Sequence, residues 1–147
     1  MELTLQPVDA SNWYAVVSLC VDESQKGFVA TNAFSLAQAA YTPDVYPLAV
    51  CADDMPVGFI LYCYDRDFQP PMWGMWWLMI DKEHQRKGYG RRALELLLKK
   101  VAAEKGHVPF YTSAEPENAP AIALYESMGF RNTGKLIDGE ILLIRDL

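Results

Sequence analysis

Residues 76–98 read WWLMIDKEHQRKGYGRRALELLL. The stretch opens on an apolar run, Trp76 to Ile80, which predicts a buried strand. A basic turn with two glycines, Gln85 to Arg91, precedes a segment with the leucine spacing of a helix. The first turn of a helix has backbone N–H groups without internal partners, and the helix dipole adds partial positive charge there. The order of strand, glycine turn and helix therefore predicts a site for phosphate or pyrophosphate.

The spacing of this turn narrows the choice of phosphate ligand. Gly88, Gly90 and Ala93 fit the dinucleotide fingerprint, but that fingerprint follows its strand directly, and here residues 81–87 intervene. A P-loop is excluded because no Gly-Lys-Ser/Thr follows a glycine at the required spacing. A helix start with glycines and no ligand stays open as the alternative.

Length and composition indicate one packed domain, residues 1–147. The chain is 51% hydrophobic and 22% charged, which is enough apolar character for a core. Its net charge of -6 disfavours binding to nucleic acid through phosphate contacts. The same charge is compatible with a small cationic substrate.

The cysteines and apolar runs suggest a cellular location. Cys20, Cys51 and Cys63 lie in apolar segments without metal-ligand spacing, which predicts buried free thiols in a reducing compartment and no metal site. Residues 1–8 lack the pattern of a signal peptide, and the apolar run 72–80 is too short to cross a bilayer. We therefore expect a cytoplasmic protein without a membrane partner.

Periodicity and turn residues divide the chain into strands and helices. Strands are predicted at residues 3–7, 46–52, 57–64, 72–80, 108–114, 130–137 and 140–145. Helices are predicted at residues 11–21, 31–40, 91–105 and 119–128. The order β-α-α-β-β-β-α-β-α-β-β predicts a mixed α/β (α+β) fold, with a central sheet of about seven strands and helices on both faces.

A second motif, residues 118–130, reads NAPAIALYESMGF. It resembles the pattern N-x-x-A-x-x-L-Y-x-x-x-G-F of the GNAT N-acetyltransferases. The turn Gln85-x-x-Gly88-x-Gly90 resembles the acetyl-coenzyme A binding motif of the same family. Both motifs occur in the expected order on the expected elements. The resemblance implies a GNAT-like fold and transfer of an acetyl group from acetyl-coenzyme A to an amine.

The resemblance also implies roles for particular residues. The backbone of Leu78, Met79 and Ile80 is expected to pair with the pantetheine arm, and Asn118 to contact its side. Tyr125 is expected to protonate the departing thiolate, and its unperturbed pKa of about 10 keeps it protonated at neutral pH. The pyrophosphate is expected to lie on the turn formed by Gln85, Arg86, Lys87, Gly88, Tyr89, Gly90 and Arg91.

The general base is not apparent from the sequence. Many relatives carry a glutamate on the central strand, whereas residues 75–79 contain no carboxylate. Asp81 follows this strand and is suited to starting the turn, and the motif places neither His84 nor His107 as a base. The open candidates are Asp22, Glu23, Asp81, Glu115 and a water relay.

The N-terminal region suggests the acceptor. Residues 22–32, followed by Ser35-Leu36-Ala37, are similar to the first helix–loop–helix of the bacterial spermine/spermidine acetyltransferase branch. A polyamine needs carboxylates for its ammonium groups and apolar or aromatic walls for its methylenes. The carboxylates proposed for this role are Asp22, Glu23, Asp65 and Asp67, and the proposed walls are Phe28, Tyr64, Trp73 and Trp76.

Several alternatives stay open at this point. The acceptor of an acetyltransferase could instead be an amino acid, an aminoglycoside, another amine-bearing compound, a protein N-terminus or a lysine. The domain could bind acetyl-coenzyme A without catalysis. The glycine fingerprint leaves a nicotinamide-dependent oxidoreductase as a further interpretation. The resemblance also implies a possible homodimer.

Overall fold

The computed structural model describes residues 2–21 and 31–147. The strands are β1 Leu3–Pro7, β2 Val45–Ala52, β3 Met55–Asp65, β4 Met72–Ile80, β5 Pro109–Ala114, β6 Arg131–Ile137 and β7 Glu140–Asp146. The helices are α1 Trp13–Val17, α2 Asn32–Tyr41, α3 Tyr89–Lys105 and α4 Ala119–Ser127. A single 3₁₀ turn, Lys82–His84, lies between β4 and α3. The predicted order of elements is confirmed.

The strands form one seven-stranded sheet in the order β1-β2-β3-β4-β5-β7-β6. Neighbouring strands are antiparallel except β4 and β5, which are parallel. Asp53 and Asp54 turn the β2–β3 hairpin, and Asp138 and Gly139 turn the β6–β7 hairpin, all with positive φ. Paired positive φ values match the right-handed twist of a hairpin, and aspartate and glycine tolerate them.

Helices cover both faces of the sheet, as predicted. On one face, Leu94 and Leu97 of α3 and Tyr125 of α4 join a core with residues of β1 to β5 and β7. On the other face, Val16 of α1 and Leu36 of α2 pack against β2, β3 and β4. None of the helices within residues 2–21 and 31–147 combines the length and hydropathy that a membrane span requires.

The first helix is shorter than predicted. The expected range 11–21 is wrong, because α1 ends at Val17. The chain beyond it is held by the end of β4: Cys20 N donates to Asp81 Oδ1 at 2.9 Å, and Lys82 N donates to Cys20 O at 2.7 Å. These long-range bonds draw the backbone away from a helical path.

Two of the cysteines are buried as free thiols, as the sequence predicted. Cys51 and Cys63 are buried, whereas Cys20 is partly exposed. Burial raises the pKa of the Cys63 thiol to about 12. A thiol with so high a pKa is almost entirely protonated at neutral pH and is therefore a poor nucleophile.

The parallel strands β4 and β5 separate soon after they meet. Their ladder in the described chain consists of two pairs, Trp73 with Phe110 and Gly74 with Tyr111. A bulge at Trp76 follows, since the register with β3 shifts there. A Cβ at Gly74 would overlap the ring of Tyr111, so glycine permits this crossing. We call the gap between residues 75–80 and 112–114 the β4–β5 opening.

Candidate active site

The turn between β4 and α3 is held by hydrogen bonds from side chains to the backbone. Gln85 Nε2 donates to Ile80 O at 2.9 Å, and Asp81 Oδ2 accepts from Glu83 N at 3.4 Å. Arg86 and Gly88 have φ values of 64° and 78°. Gly88 is the N-cap of α3 and places no side chain on the first-turn amides. The start of α3 therefore carries the partial positive charge that favours an anion.

A cleft of about 680 Å³ lies at this helix start, which is the size range of small-molecule sites. We call it the α3 cleft. It brings together nearly all residues predicted for the coenzyme and the acid: Leu78, Met79, Ile80, Gln85, Arg86, Gly88, Tyr89, Gly90, Arg91, Asn118 and Tyr125. Lys87 is exposed and does not line it. The lining of the cleft also includes residues that the sequence analysis did not predict: Val21, His84, Pro120, Ala121 and Leu124.

Positive charge is concentrated at one end of the α3 cleft. Arg86 and Arg91 add to the partial positive charge of the α3 N-terminus. The Arg91 guanidinium donates to Ser127 Oγ at 2.5 Å, which joins α3 to α4. The lining also includes Tyr125 and the apolar residue Leu124. The cleft can therefore hold an anionic group at α3 and a less polar arm along β4.

Tyr125 lies where β4 and β5 separate. Its side chain is buried, and burial is the largest cause of a raised pKa. A hydrogen bond with Thr112 lowers that pKa and the negative charge of Glu140 raises it. The net direction is upward, so the phenol keeps its proton at neutral pH. Asn118 lines the same cleft and also caps α4, since its Oδ1 accepts from Ala121 N at 3.3 Å.

A second pocket, of about 570 Å³, lies beside Trp76 and Trp77 of β4 and Tyr111 and Ser113 of β5. We call it the acidic pocket, because the described residues that line it include four carboxylates and neither lysine nor arginine. The carboxylates are Asp65, Asp67, Asp138 and Glu140. The remaining lining residues are Gln38, Phe68 and Ile137. An aromatic pocket with this charge suits an organic cation.

A hydrogen-bond chain organises the floor of the acidic pocket. Trp76 Nε1 donates to Tyr111 Oη at 2.7 Å, and Tyr111 Oη donates to Asp65 Oδ2 at 2.5 Å. Burial is the largest cause of the raised pKa of Tyr111, which therefore stays a donor. Asp67 N donates to the other carboxylate oxygen of Asp65 at 2.9 Å. Asp65 is thus fixed in place with its negative charge beside the aromatic rings.

Two further polar groups of the acidic pocket have no hydrogen-bond partner among the described residues. Gln38 Oε1 and Trp77 Nε1 are buried, and neither has a hydrogen bond within the part of the chain that the structure describes. Buried polar atoms in folded proteins are nearly always paired. A ligand in the acidic pocket could supply a donor to Gln38 and an acceptor to Trp77.

The sequence profile of the acetyltransferase (GNAT) family matches residues 13–130, most of the chain. The chain belongs to this family. It is therefore an acetyl-coenzyme A-dependent N-acetyltransferase, as predicted. The interpretations as a nicotinamide-dependent oxidoreductase and as a non-catalytic module are set aside.

Individual relatives share this chemistry. The acetyltransferase is 28% identical over 155 aligned positions to the spermine/spermidine N(1)-acetyltransferase of Bacillus subtilis (strain 168), with 100% of both chains covered. It is 42% identical over 53 residues to a [ribosomal protein bS18]-alanine N-acetyltransferase of Salmonella typhimurium, covering 36% of this chain and 35% of that one. The aminoglycoside acetyltransferase AAC(6')-Ib with coenzyme A and kanamycin has the same fold, with a TM-score of 0.78, 18% identity, and 99% and 95% coverage.

The predicted acceptor residues of the acetyltransferase fall into three groups. Asp65, Asp67 and Trp76 meet in the acidic pocket. Tyr64 and Trp73 instead line a different groove with Tyr46. Asp22, Glu23 and Phe28 lie outside the described residues. The sequence analysis did not predict Tyr111, Asp138 and Glu140 as residues of this pocket. Two signals for them are in the sequence, namely the alternation of side chains along β5 and the acidic residues at the β6–β7 turn.

Of the candidates for the general base, Asp81 and Glu115 are described by the structure, and neither is placed to act as the base. One carboxylate oxygen of Asp81 accepts a hydrogen bond from Cys20 N and the other accepts one from Glu83 N. Asp81 therefore starts the turn, as the sequence suggested. Glu115 lines neither the α3 cleft nor the acidic pocket. His107 is exposed and bonds the carbonyl of Leu147, whereas His84 lines the α3 cleft.

We predict that Gly88→Ala weakens coenzyme binding. Alanine at φ 78° costs about 1–2 kcal/mol of backbone strain, and any relaxation turns the α3 amides away from the pyrophosphate. Gly134→Ala is the matched control, because Gly134 also has positive φ with no atom within 4 Å of an added Cβ. Both variants should lose similar unfolding free energy in denaturant titrations. Calorimetry should show weaker coenzyme A binding for Gly88→Ala alone, and equal binding by both would contradict this role of the turn.

Proposed function

We propose that this enzyme transfers the acetyl group of acetyl-coenzyme A to a primary amine of a polyamine, with spermine and spermidine as the best candidates. The observation that carries the proposal is the acidic pocket beside the β4–β5 opening. The full-length similarity to a spermine/spermidine acetyltransferase supports the same acceptor class.

The chemistry of the acidic pocket fits a chain of ammonium groups joined by methylenes. Asp65 is held in place at the floor, whereas Asp67 and Asp138 are exposed at the rim. Separate carboxylates of this kind can pair with successive ammonium groups of one extended polyamine. The rings of Phe68 and Trp76 offer apolar surface for the methylenes between them and π faces for cations.

The α3 cleft is assigned to the coenzyme. The backbone of Leu78, Met79 and Ile80 borders the β4–β5 opening, where an extended pantetheine arm can pair with β4. The amides at the start of α3, together with Arg86 and Arg91, bind the pyrophosphate. Asn118 lies along the pantetheine side. Lys87 is exposed outside the cleft, so its role is limited to long-range attraction.

Tyr125 is assigned as the general acid. It is buried in the lining of the α3 cleft, and its raised pKa keeps the proton that the departing sulfur needs. In this arrangement the thioester carbonyl lies beside Tyr125 at the β4–β5 opening. The acceptor amine reaches it from the acidic pocket.

One of the other acceptors fits the acidic pocket less well. The carboxylate of a free amino acid would be repelled by the four carboxylates of the lining. A protein N-terminus is the second candidate, and the short match to the bS18-alanine enzyme supports it.

A cytoplasmic location and a homodimer stay predictions.

We predict that Tyr125→Phe lowers kcat with spermine by about 10²- to 10⁴-fold, because the leaving thiolate loses its proton donor. Coenzyme A affinity should not change, since phenylalanine keeps the ring. Thiol-release kinetics and calorimetry measure the two quantities. Tyr41→Phe is the control, since Tyr41 is 90% exposed. An unchanged kcat in Tyr125→Phe would remove Tyr125 from the mechanism.

We predict that Asp138→Asn raises KM for spermine by about 2- to 5-fold, because one exposed charge pair contributes at most about 1 kcal/mol. A monoamine that does not reach the rim should show a smaller change, and added salt should shrink the difference. Asp54→Asn is the matched control, because Asp54 is also an exposed hairpin aspartate with positive φ but lies outside the acidic pocket. Equal effects of the two substitutions would argue against the acidic pocket as the polyamine site.

A further inference from the structure

Glu140 is held in the acidic pocket by a neighbouring strand. It is the first residue of β7, it is half-buried, and Ser113 Oγ donates to its Oε1 at 2.7 Å. No hydrogen bond to Oε2 comes from the residues that the structure describes. The carboxylate is thus oriented through one oxygen while the other oxygen is available to a ligand.

The register of the sheet fixes the face on which this carboxylate lies. Ser113 of β5 is opposite Leu142 of β7, so the two side chains share a face. Glu140 precedes Leu142 by two residues and Tyr111 precedes Ser113 by two, which places all four on that face. Thr112 points to the other face, where its hydroxyl is close enough to Tyr125 to lower the pKa of that phenol.

The β4–β5 opening brings the two faces into electrostatic contact. Thr112 Oγ1 donates to Met75 O at 3.5 Å and so spans the gap between the strands. The negative charge of Glu140 raises the pKa of Tyr125 from the opposite side of β5. Ser113, which holds Glu140, is the chain neighbour of Thr112, so an amine that passes from the acidic pocket through the gap at Thr112 passes Glu140.

We propose that Glu140, oriented by Ser113, is the catalytic residue that binds the reacting ammonium group and accepts its proton. The inference rests on the proposed function, because it requires the acceptor to enter through the acidic pocket. Residues 75–79 of β4 contain no carboxylate. Under this proposal Glu140 supplies one from β7, which pairs with β5 on the side away from β4.

The protons of the acetyl transfer balance with Glu140 and Tyr125 as the two residues that exchange them. The ammonium group gives one proton to the Glu140 carboxylate, which later releases it to solvent. The free amine forms the nitrogen–carbon bond as the carbon–sulfur bond breaks, and the electron pair of that bond stays on sulfur. Tyr125 gives its proton to the sulfur, and the second proton of the amine nitrogen restores the phenol. The products are an N-acetyl amine, the free thiol and one proton.

The other titratable groups around the acidic pocket are less suited to this step. Both oxygens of Asp65 accept hydrogen bonds, one from Tyr111 and one from Asp67 N. Asp67 and Asp138 are exposed at the rim. Tyr111 has a raised pKa and donates a hydrogen bond to Asp65. Glu140 is the carboxylate of the acidic pocket whose charge acts on Tyr125.

The test is the pH profile of kcat for Glu140→Gln with spermine. Glutamine can still accept the Ser113 bond, so the fold should be kept, and a thermal melt checks this. We expect kcat about 100-fold below wild type near pH 7. The deficit should shrink by about tenfold or more near pH 9.5, where solution supplies the free amine. Ser113→Ala should show a smaller loss with the same pH dependence, and Glu95→Gln on the exposed face of α3 is the control.

The results distinguish a failure of the role of Glu140 from a failure of the proposed function. If wild type acetylates spermine and Glu140→Gln changes only KM, with an unchanged pH profile, Glu140 is not the proton acceptor and the proposed function stands. If wild type does not acetylate polyamines, the proposed function fails. The pH comparison is then made with an amine that wild type does acetylate, where a constant deficit at every pH would overturn the role of Glu140.

Discussion

The separation of β4 from β5 is the constraint on which the rest of the molecule depends. The two parallel strands pair at Trp73 and Gly74 and then diverge, because Tyr111 crosses Gly74 and a bulge follows at Trp76. Among the described strands, divergence leaves the β5-facing edge of β4 unpaired beyond Gly74, in a sheet that is otherwise continuous. Unpaired backbone groups of this kind are costly when buried, so the gap favours a ligand with an extended polar arm.

The same gap separates two sites of opposite charge. On one side, the start of α3 with Arg86 and Arg91 attracts an anion. On the other side, four carboxylates attract a cation. The two substrates of the proposed reaction thus approach from different directions and meet at the gap, beside Tyr125. This arrangement also keeps the cationic acceptor away from the pyrophosphate, to which it would otherwise bind.

Local patterns in the sequence were sufficient for much of this description. Leucine spacing predicted α3, paired turn residues predicted both hairpins, and the two family motifs predicted most of the α3 cleft. The end of α1 was not predictable, because Asp81, sixty-one positions away from Cys20, decides it through a hydrogen bond. The acidic pocket was only partly predictable, since its residues come from α2, β3, the β3–β4 connection, β4, β5 and the β6–β7 hairpin. Glu140 looked like an ordinary hairpin residue until the sheet register placed it beside Ser113.

The central claim is that donor and acceptor meet through the β4–β5 opening. The most direct measurement is a crystal structure with a conjugate in which spermine is joined to the sulfur of coenzyme A through an acetyl linker. The account predicts the pyrophosphate at the start of α3, the linker between β4 and β5 beside Tyr125, and the polyamine along Asp65 and Trp76. A polyamine arm that stays on the α3 side of the sheet, with the acidic pocket empty, would contradict it.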